Sequence, residues 1–170
     1  MAARAGAFDP AGPLSVPGGV SGTSHPALSG QVVAVAIAVS TGSASPVLES
    51  ASLIPVPGFP TPTLAHLGTY YGRGYPVTAL DWPPRDPGSG GEPPAALPIS
   101  AFQGFQLQPA HTVNGFWYYD TIYFGIVGEK TGVDYYAAGL RVTYRVGSIQ
   151  YTTNLYQMGV DCVRADPQKQ

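Results

Sequence analysis

Few residues of this chain are spaced for metal or acid–base chemistry. The three histidines, His25, His66 and His111, lie in separate segments. None has a second histidine or a carboxylate at the spacing that a zinc or iron site requires. We therefore interpret them as single surface or packed side chains, and we predict no metal site and no cofactor.

Three carboxylates, Asp120, Glu129 and Asp134, fall near one end of an aromatic segment. Brought together, such side chains could bind Ca²⁺ or act as the carboxylate pair of a glycoside hydrolase. Charged residues at strand and loop ends are the commoner explanation, and we favour it. The chain also lacks a Gly-x-Ser-x-Gly nucleophile motif, and Gly88–Gly91 is not followed by the Lys-Ser/Thr of a phosphate-binding loop. We expect a protein that is not an enzyme.

Aromatic residues are the best functional signal in the sequence. Tryptophan and tyrosine combine a large apolar ring with a polar group, and they are common in binding surfaces. They could form a stacking platform for sugars or a contact patch for a protein, although most aromatic side chains belong to protein cores. The candidate binding surface consists of Trp82, Trp117, Tyr119 and Tyr135.

The charge composition excludes some partners. The chain has eight Lys and Arg against ten Asp and Glu, a net charge of −2, and only 11% charged residues. Nucleic-acid-binding domains carry a basic patch or stripe, which this sequence lacks. It also has no Lys/Arg cluster for an anionic membrane. We predict a protein partner or an envelope assembly, no nucleic acid, and leave the oligomeric state open.

The single cysteine and the apolar runs bear on cellular location. Cys162 has no partner for an intrachain disulfide, so we expect a small buried hydrophobic side chain. The longest apolar run, Val32–Val39, is far shorter than the roughly 18 residues of a transmembrane helix. As the core of a signal peptide it would need a basic segment before it, and none is present. We therefore interpret this run as a buried strand, with no clear signal peptide.

The segment Leu140–Leu155 is the element around which the fold can be organised. Its alternating pattern predicts a β-hairpin with a two-residue type II′ turn at Gly147-Ser148, because glycine readily takes the positive φ that this turn needs. The turn places Tyr144 opposite Tyr151 and Val142 opposite Thr153. One face is then apolar and the other polar, so a second layer must cover the apolar face.

The rest of the chain predicts further strands and no helix. Gly115–Val127 is apolar on both faces, which is typical of a central strand or of one covered by a loop. A change of apolar parity after Leu155 indicates a β-bulge around Tyr156–Gly159. We predict an all-β, antiparallel β-sandwich of about seven to nine strands with long Pro/Gly-rich loops. The other predicted strands are Gln31–Val39, Pro46–Val56, Leu64–Tyr71, Pro76–Trp82, Pro98–Leu107 and Val133–Val146.

The composition also predicts the domain boundaries. Residues 1–30 are rich in Ala, Gly, Pro and Ser and have few large apolar side chains, chiefly Phe8, Leu14 and Leu28. We interpret 1–30 as a flexible arm or linker, 31–163 as the sandwich domain and 164–170 as a tail. On this interpretation, the domain should fold without residues 1–30.

Residues 31–163 resemble envelope proteins of high-GC, actinobacterial-type bacteria that are of unknown function. The resemblance lies in SPVLESASLIPVPGF, LPISAFQGFQL and the terminal GLRVTYRVGSIQYT and GVDCV segments. Those proteins place one immunoglobulin-like sandwich after a signal anchor, whereas this chain has no hydrophobic N-terminal anchor. The resemblance implies a non-catalytic, exported, immunoglobulin-like sandwich.

Three functions are consistent with these observations. The one we favour is an extracytoplasmic binding or assembly module. The alternatives are a structural assembly protein, such as a phage capsid-decoration or tail component, and a carbohydrate-binding module. An ordered N-terminal arm would favour assembly, and a planar row of exposed rings would favour sugar binding.

Overall fold

The computed structural model describes residues 12–16, 24–73, 79–86 and 95–165, without the side chains of residues 24, 73, 86 and 156–162. This part of the chain contains twelve strands and no helix. Six strands have seven residues or more, and the other six have two or three. The strands are β1 (Ser24–Pro26), β2 (Val32–Ala38), β3 (Val47–Pro55), β4 (Thr63–Arg73), β5 (Ala79–Leu80), β6 (Arg85–Asp86), β7 (Ala95–Ala96), β8 (Ser100–Ala101), β9 (His111–Val113), β10 (Phe116–Val127), β11 (Asp134–Val146) and β12 (Ile149–Arg164).

The long strands form two sheets. One sheet has four strands in the order β1-β12-β11-β3, and the other has the order β5-β2-β10-β4-β8 with β9 also paired to β10. Neighbouring strands are antiparallel except β1 and β12, which are parallel. The short strands β6 and β7 pair only with each other. The predicted all-β sandwich is therefore confirmed.

The main core lies between the two sheets. Alternate residues of β2 and β10 meet alternate residues of β11 and β12, as expected for strands with one buried face. The largest fully buried side chains of this core are Tyr144, Phe124, Ile37, Leu48, Leu107, Ile122, Ile126, Leu140 and Leu155.

The hairpin formed by β11 and β12 has the predicted register. Tyr144 is opposite Tyr151 and Val142 is opposite Thr153, and Gly147 has a φ of 59°. The outer face is polar and cross-linked by side chains: Arg141 Nε donates to Asn154 Oδ1 at 3.2 Å. The alternation of apolar and polar residues and the turn sequence were sufficient to predict the register of this hairpin, because both are local features of the sequence.

The change Gly147→Val is expected to lower the free energy of unfolding by about 1–3 kcal/mol. A β-branched residue is strained at positive φ, and an added Cβ would meet no atom within 4 Å, so the cost comes from the backbone alone. Gly147→Asn is the matched control, because asparagine tolerates this conformation. Urea denaturation should show a clearly smaller loss for Asn, and equal losses would contradict the explanation.

One predicted strand is largely wrong in extent. In the predicted strand Pro98–Leu107, only Ser100–Ala101 forms a strand. A turn follows, in which Phe105 N donates to Phe102 O at 3.2 Å and Gly104 has a φ of 79°. Of the predicted strand Pro76–Trp82, residues 79–82 are described and Ala79–Leu80 form a strand, while residues 76–78 lie outside the described part.

The sandwich also includes residues on both sides of the predicted 31–163 boundaries. Leu14 is buried in the main core, and its neighbour Ser15 forms two backbone hydrogen bonds with Ser40, at 2.9 and 2.8 Å. Strand β1 pairs with the end of β12, and Ala165 is buried. The packed sandwich therefore includes residues before 31. These upstream segments contribute backbone hydrogen bonds to other strands and one core side chain, Leu14.

The end of the β11–β12 pair contains the predicted irregularity. The register changes from Gly139 opposite Tyr156 to Ala137 opposite Asp161, which inserts extra residues into β12. This confirms the bulge around Tyr156–Gly159. Cys162 lies opposite Tyr136 on β12. The side chain of Cys162 is outside the described set, so its burial stays a prediction.

Candidate binding surface

The outer face of the sheet that contains β10 is partly covered by the chain around Trp82, Leu97 and Ile99. These residues pack against Ala36 and Tyr123 in a second, smaller core. The Trp82 ring stacks on His66, with ring centroids 5.0 Å apart and an interplanar angle of 11°. Strand β10 is thus central in its sheet and also covered by a loop, which explains why both of its faces are apolar.

Strands β9 and β10 form a second hairpin, which the sequence analysis missed. Its two turn residues, Asn114 and Gly115, have φ values of 50° and 79°. Positive φ at both positions defines a type I′ turn, and Asn-Gly is the preferred sequence for it. This Asn-Gly signal is present in the sequence, but the predicted strand Gly115–Val127 includes the second turn residue.

This hairpin extends beyond the ends of the neighbouring strands. Strand β4 pairs with β10 only from Tyr118 onward, and β2 only from Thr121 onward. At the tip, Val113, Phe116 and Trp117 are 42%, 44% and 63% exposed. We call these three side chains the hairpin tip. Their exposure agrees with this register, because no described strand other than β9 pairs with β10 at Phe116 or Trp117.

The hairpin tip presents apolar groups on both faces. Directly opposed residues share a face, so Val113 and Phe116 lie on one side and Trp117 lies with Thr112 on the other. Counting by twos along β10, Phe116 is on the side of the core residue Phe124, and Trp117 is on the side of Tyr123.

Three rings pack together at the base of the hairpin. Tyr71, His111 and Tyr118 have centroid separations of 5.8 to 6.3 Å. The Tyr71 hydroxyl is hydrogen-bonded to His111 Nδ1 at 2.7 Å. Burial raises the pKa of the Tyr71 phenol, and the nearby Asp120 and Tyr118 raise it further. We call Tyr71, His111 and Tyr118 the ring cluster. Its contacts connect β9 to β4 across β10 and support the hairpin tip.

Asp120 lies beneath the ring cluster and is fully buried. Its Oδ2 accepts a hydrogen bond from the backbone N–H of Gln108, and among the described residues its Oδ1 has no hydrogen-bond partner. Burial raises the pKa of this carboxyl to about 6, against the lowering effect of the Gln108 hydrogen bond. A buried carboxylate oxygen without a partner is costly, so Asp120 is a source of instability whenever it is charged.

The four residues predicted to form a binding surface do not lie together. Trp117 is exposed at the hairpin tip, and Tyr119 is half-buried two residues further along the same face of β10. Trp82 is half-buried in the loop cover. Tyr135 belongs to the main core, where its hydroxyl accepts a hydrogen bond from Lys130 N at 3.0 Å. Including Tyr135 was wrong, because its alternating position on β11 turns it inward.

An open groove adjoins Trp82. Its volume is about 450 Å³. The groove runs beside the short strand β8, which covers β4 only at Gly68 and Thr69. Its lining contains no charged residue and consists of Leu67, Trp82, Pro83, Leu97, Pro98, Ile99, Ser100 and Ala101.

The three carboxylates considered for Ca²⁺ or glycoside chemistry are separated. Asp120 is within β10, whereas Glu129 follows that strand and accepts a hydrogen bond from Thr63 Oγ1 at 2.7 Å. Asp134 forms an ion pair with Arg164 at 3.3 Å. Within the described ranges, no three His, Cys, Asp or Glu side chains are grouped so that they could hold a metal ion. The same residues include no helix long and apolar enough to span a membrane.

Comparison with known proteins identifies no relative for this chain. It matches no protein-family model, and no curated protein or solved structure is significantly similar to it. A fold alone does not define a function, so the functional argument depends on the surface described above.

Proposed function

We propose that this protein is a non-catalytic binding or assembly module that contacts a protein partner through the hairpin tip. The observation that carries the proposal is the joint exposure of Val113, Phe116 and Trp117 on one structured hairpin. Aromatic side chains dominate the energetically important positions of protein interfaces. Because the ring cluster holds the base of the hairpin, the tip offers these groups without a large ordering cost.

The arrangement of the rings favours a protein over a sugar. A sugar platform needs exposed rings on a common face, whereas Phe116 and Trp117 lie on opposite faces of the hairpin. A partner with an apolar cleft can cover both faces at once. Among the functions considered from the sequence, a protein contact therefore has the better support.

An extracytoplasmic location and an immunoglobulin-like type of sandwich are parts of the same proposal. Their support is the resemblance to the envelope proteins, carried by the strands around residues 45–59, 97–107 and 139–163. Fractionation of the native cells tests the location directly. We expect the protein in the envelope or extracellular fraction.

Photo-crosslinking tests the role of the hairpin tip. A photo-reactive amino acid in place of Trp117 is expected to give discrete protein crosslinks in native cells. The matched control is Phe59, which is 52% exposed and precedes β4 at the opposite end of β10. It should give crosslinks of clearly lower yield. Equal yields at both positions, or adducts to glycan alone at position 117, would overturn the proposal.

A further inference from the structure

Three buried side-chain oxygens in the described part of the chain have no hydrogen-bond partner: Asp120 Oδ1, Thr69 Oγ1 and Thr41 Oγ1. Thr69 is opposite Ile122, which follows Asp120 by two residues on the same face of the sheet. Val39 N donates to Asp120 O at 3.0 Å, and Thr41 follows Val39 by two residues. Buried polar atoms are normally paired, so the base of the hairpin is an unusual part of the core.

The packing around Asp120 suits a neutral carboxyl group and not a carboxylate. The side chain is fully buried, and the hydrogen bond described for it is the one that Gln108 N–H donates to Oδ2. Burying a charged group costs far more than burying a neutral polar one, unless hydrogen bonds compensate for the lost water. Ionisation of Asp120 therefore favours an arrangement in which water reaches Oδ1.

Strand β9 is the lightly packed element beside this carboxyl group. Its three residues are all exposed, and the strand is described as pairing with β10 alone. The ring cluster holds β9 through His111, and the Gln108 N–H that binds Asp120 lies three residues upstream of His111. Tyr71 of the ring cluster is directly opposite Asp120 on β4. Displacing β9 and the ring cluster is thus a local way to admit water to the carboxyl group.

Other titratable groups lie on the elements packed around Asp120. Tyr71 on β4 stays neutral at acidic and neutral pH, because burial raises the pKa of its phenol. His111 on β9 is a second group that can gain a proton as the pH falls, so the experiment must separate it from Asp120. Further titratable or charged residues among those described at this end of the two sheets are Tyr118, Arg73, Tyr144 and the ion-paired Glu49 and Arg145.

We infer that protonation of Asp120 keeps the hairpin packed, so that the hairpin tip is held in place for its partner at acidic pH and loosened when Asp120 ionises. The inference rests on the proposed function and adds its regulation. Affinity falls in proportion to the fraction of molecules in the competent arrangement, so a loosened hairpin binds more weakly.

The direction of the pH effect follows from proton binding. Burial raises the pKa of the Asp120 carboxyl to about 6 in the packed arrangement, and access of water brings the pKa back toward its ordinary value of 3.8. Between these values the packed hairpin holds a proton that the opened hairpin has released. Opening of the hairpin therefore becomes more favourable as the pH rises.

Backbone hydrogen exchange, measured by NMR on the full chain, tests the inference without a partner. Residues that flank a two-residue turn form a hydrogen-bonded pair, so the amides of Val113 and Phe116 report opening of this hairpin. After correction for intrinsic exchange rates, the opening constant should rise more than about tenfold from pH 4 to pH 7.5, and about 60-fold if the opened carboxyl is fully hydrated. The internal control is the β11–β12 turn, where the amides of Val146 and Ile149 should change less than about threefold.

Two variants identify the group that titrates. Asp120→Asn should abolish the rise, because the amide carries no charge while its oxygen can still accept the Gln108 N–H. His111→Phe keeps a ring in the cluster but cannot titrate, and it should retain the rise. The reverse pattern would assign the pH dependence to His111 and overturn the inference. Circular dichroism at pH 4 checks that both variants fold, and the comparison of the two hairpins in the wild type requires neither.

The consequence for binding is measured by photo-crosslinking from position 117 in a cell lysate. The yield of protein crosslinks should be at least about twofold higher at pH 5 than at pH 7.5, and Asp120→Asn should remove the difference. Equal yields in the wild type would overturn the regulation.

The remaining outcomes separate this inference from the proposed function. An opening constant that does not change with pH overturns the inference, as does an equal rise in both hairpins, which would indicate exchange through global unfolding. Protein crosslinks from position 117 would leave the proposed function standing in both cases. If the hairpin opens with pH but position 117 gives no protein crosslinks at either pH, the proposed function is overturned and the pH-dependent packing of the hairpin stands.

Discussion

Replacing Leu14 with Ala is expected to lower the free energy of unfolding by about 2–5 kcal/mol, the range for deleting a buried leucine side chain. Leu14 is 3% exposed and belongs to the main core, and its backbone N–H donates to the Tyr144 hydroxyl at 3.4 Å. The lost side chain leaves a cavity beside one of the largest buried residues of the sandwich. Urea denaturation of the full chain measures the effect.

Leu28→Ala is the matched control for this experiment. Leu28 comes from the same compositionally biased segment but is 58% exposed, so its replacement should change the free energy of unfolding by no more than about 0.5 kcal/mol. A chain that begins at Gln31 should be less stable than Leu14→Ala, because it also loses the Ser15–Ser40 bridge and strand β1. An unchanged midpoint for that shortened chain would restore the flexible-arm interpretation.

The packing of Leu14 shows where composition misleads. The segment before residue 31 has few apolar side chains. The free energy gained by burying three of them cannot offset the entropy cost of ordering an isolated arm. The described residues instead gain backbone pairs with distant strands: Ser15 with Ser40, and β1 with the end of β12. Such long-range pairs leave no local pattern, so the sequence could not reveal them.

The strands of the sandwich were more predictable than its surface. The β11–β12 hairpin follows from alternation and one glycine, and its register was predicted residue by residue. The hairpin tip was also open to prediction, because Asn114-Gly115 is a strong turn signal. What the sequence could not show is that the described pairing of β10 with β2 begins at Thr121 and with β4 at Tyr118, and that Phe116 and Trp117 are exposed beyond these points.

The burial of Asp120 depends on distant parts of the chain in the same way. The sequence places one carboxylate within an apolar strand, where either a loop end or a functional site is a reasonable interpretation. The structure shows Tyr71 opposite it on β4 and the Gln108 backbone above it. The pKa shift therefore arises from tertiary packing, and the spacing of residues in the sequence carries no sign of it.

The stability of the protein is expected to fall by about 2 kcal/mol as pH rises from about 4 to about 6, because of Asp120. Burial raises the pKa of this carboxyl to about 6, from 3.8 in the unfolded chain. Between these values the folded state holds a proton that the unfolded state has released, so the free energy of unfolding decreases with pH. The difference of about two pKa units corresponds to about 3 kcal/mol over the whole titration. About 2 kcal/mol of this falls between pH 4 and pH 6, because the unfolded carboxyl is already partly ionised at pH 4 and the folded one is only half ionised at pH 6.

Asp120→Asn is expected to remove this pH dependence, because the amide carries no charge at any pH in the range. Its oxygen can still accept the Gln108 N–H, while its unpaired amino group adds a cost that is the same at pH 4 and at pH 7.5. Relative to the wild type, the variant should therefore gain about 2 kcal/mol between these two pH values. Thermal and urea unfolding at both pH values measure the difference.

A second variant, Glu129→Gln, is the matched control for Asp120→Asn. Glu129→Gln changes an exposed carboxylate whose only described partner is the Thr63 hydroxyl, and the amide oxygen can accept the same hydrogen bond. A substitution at this exposed side chain should change the free energy of unfolding by no more than about 0.5 kcal/mol. A difference between Asp120→Asn and the wild type that is the same at pH 4 and at pH 7.5 would show that Asp120 is already ionised at pH 4. The ring cluster at the base of the hairpin would then stand over a charged carboxylate at every pH tested.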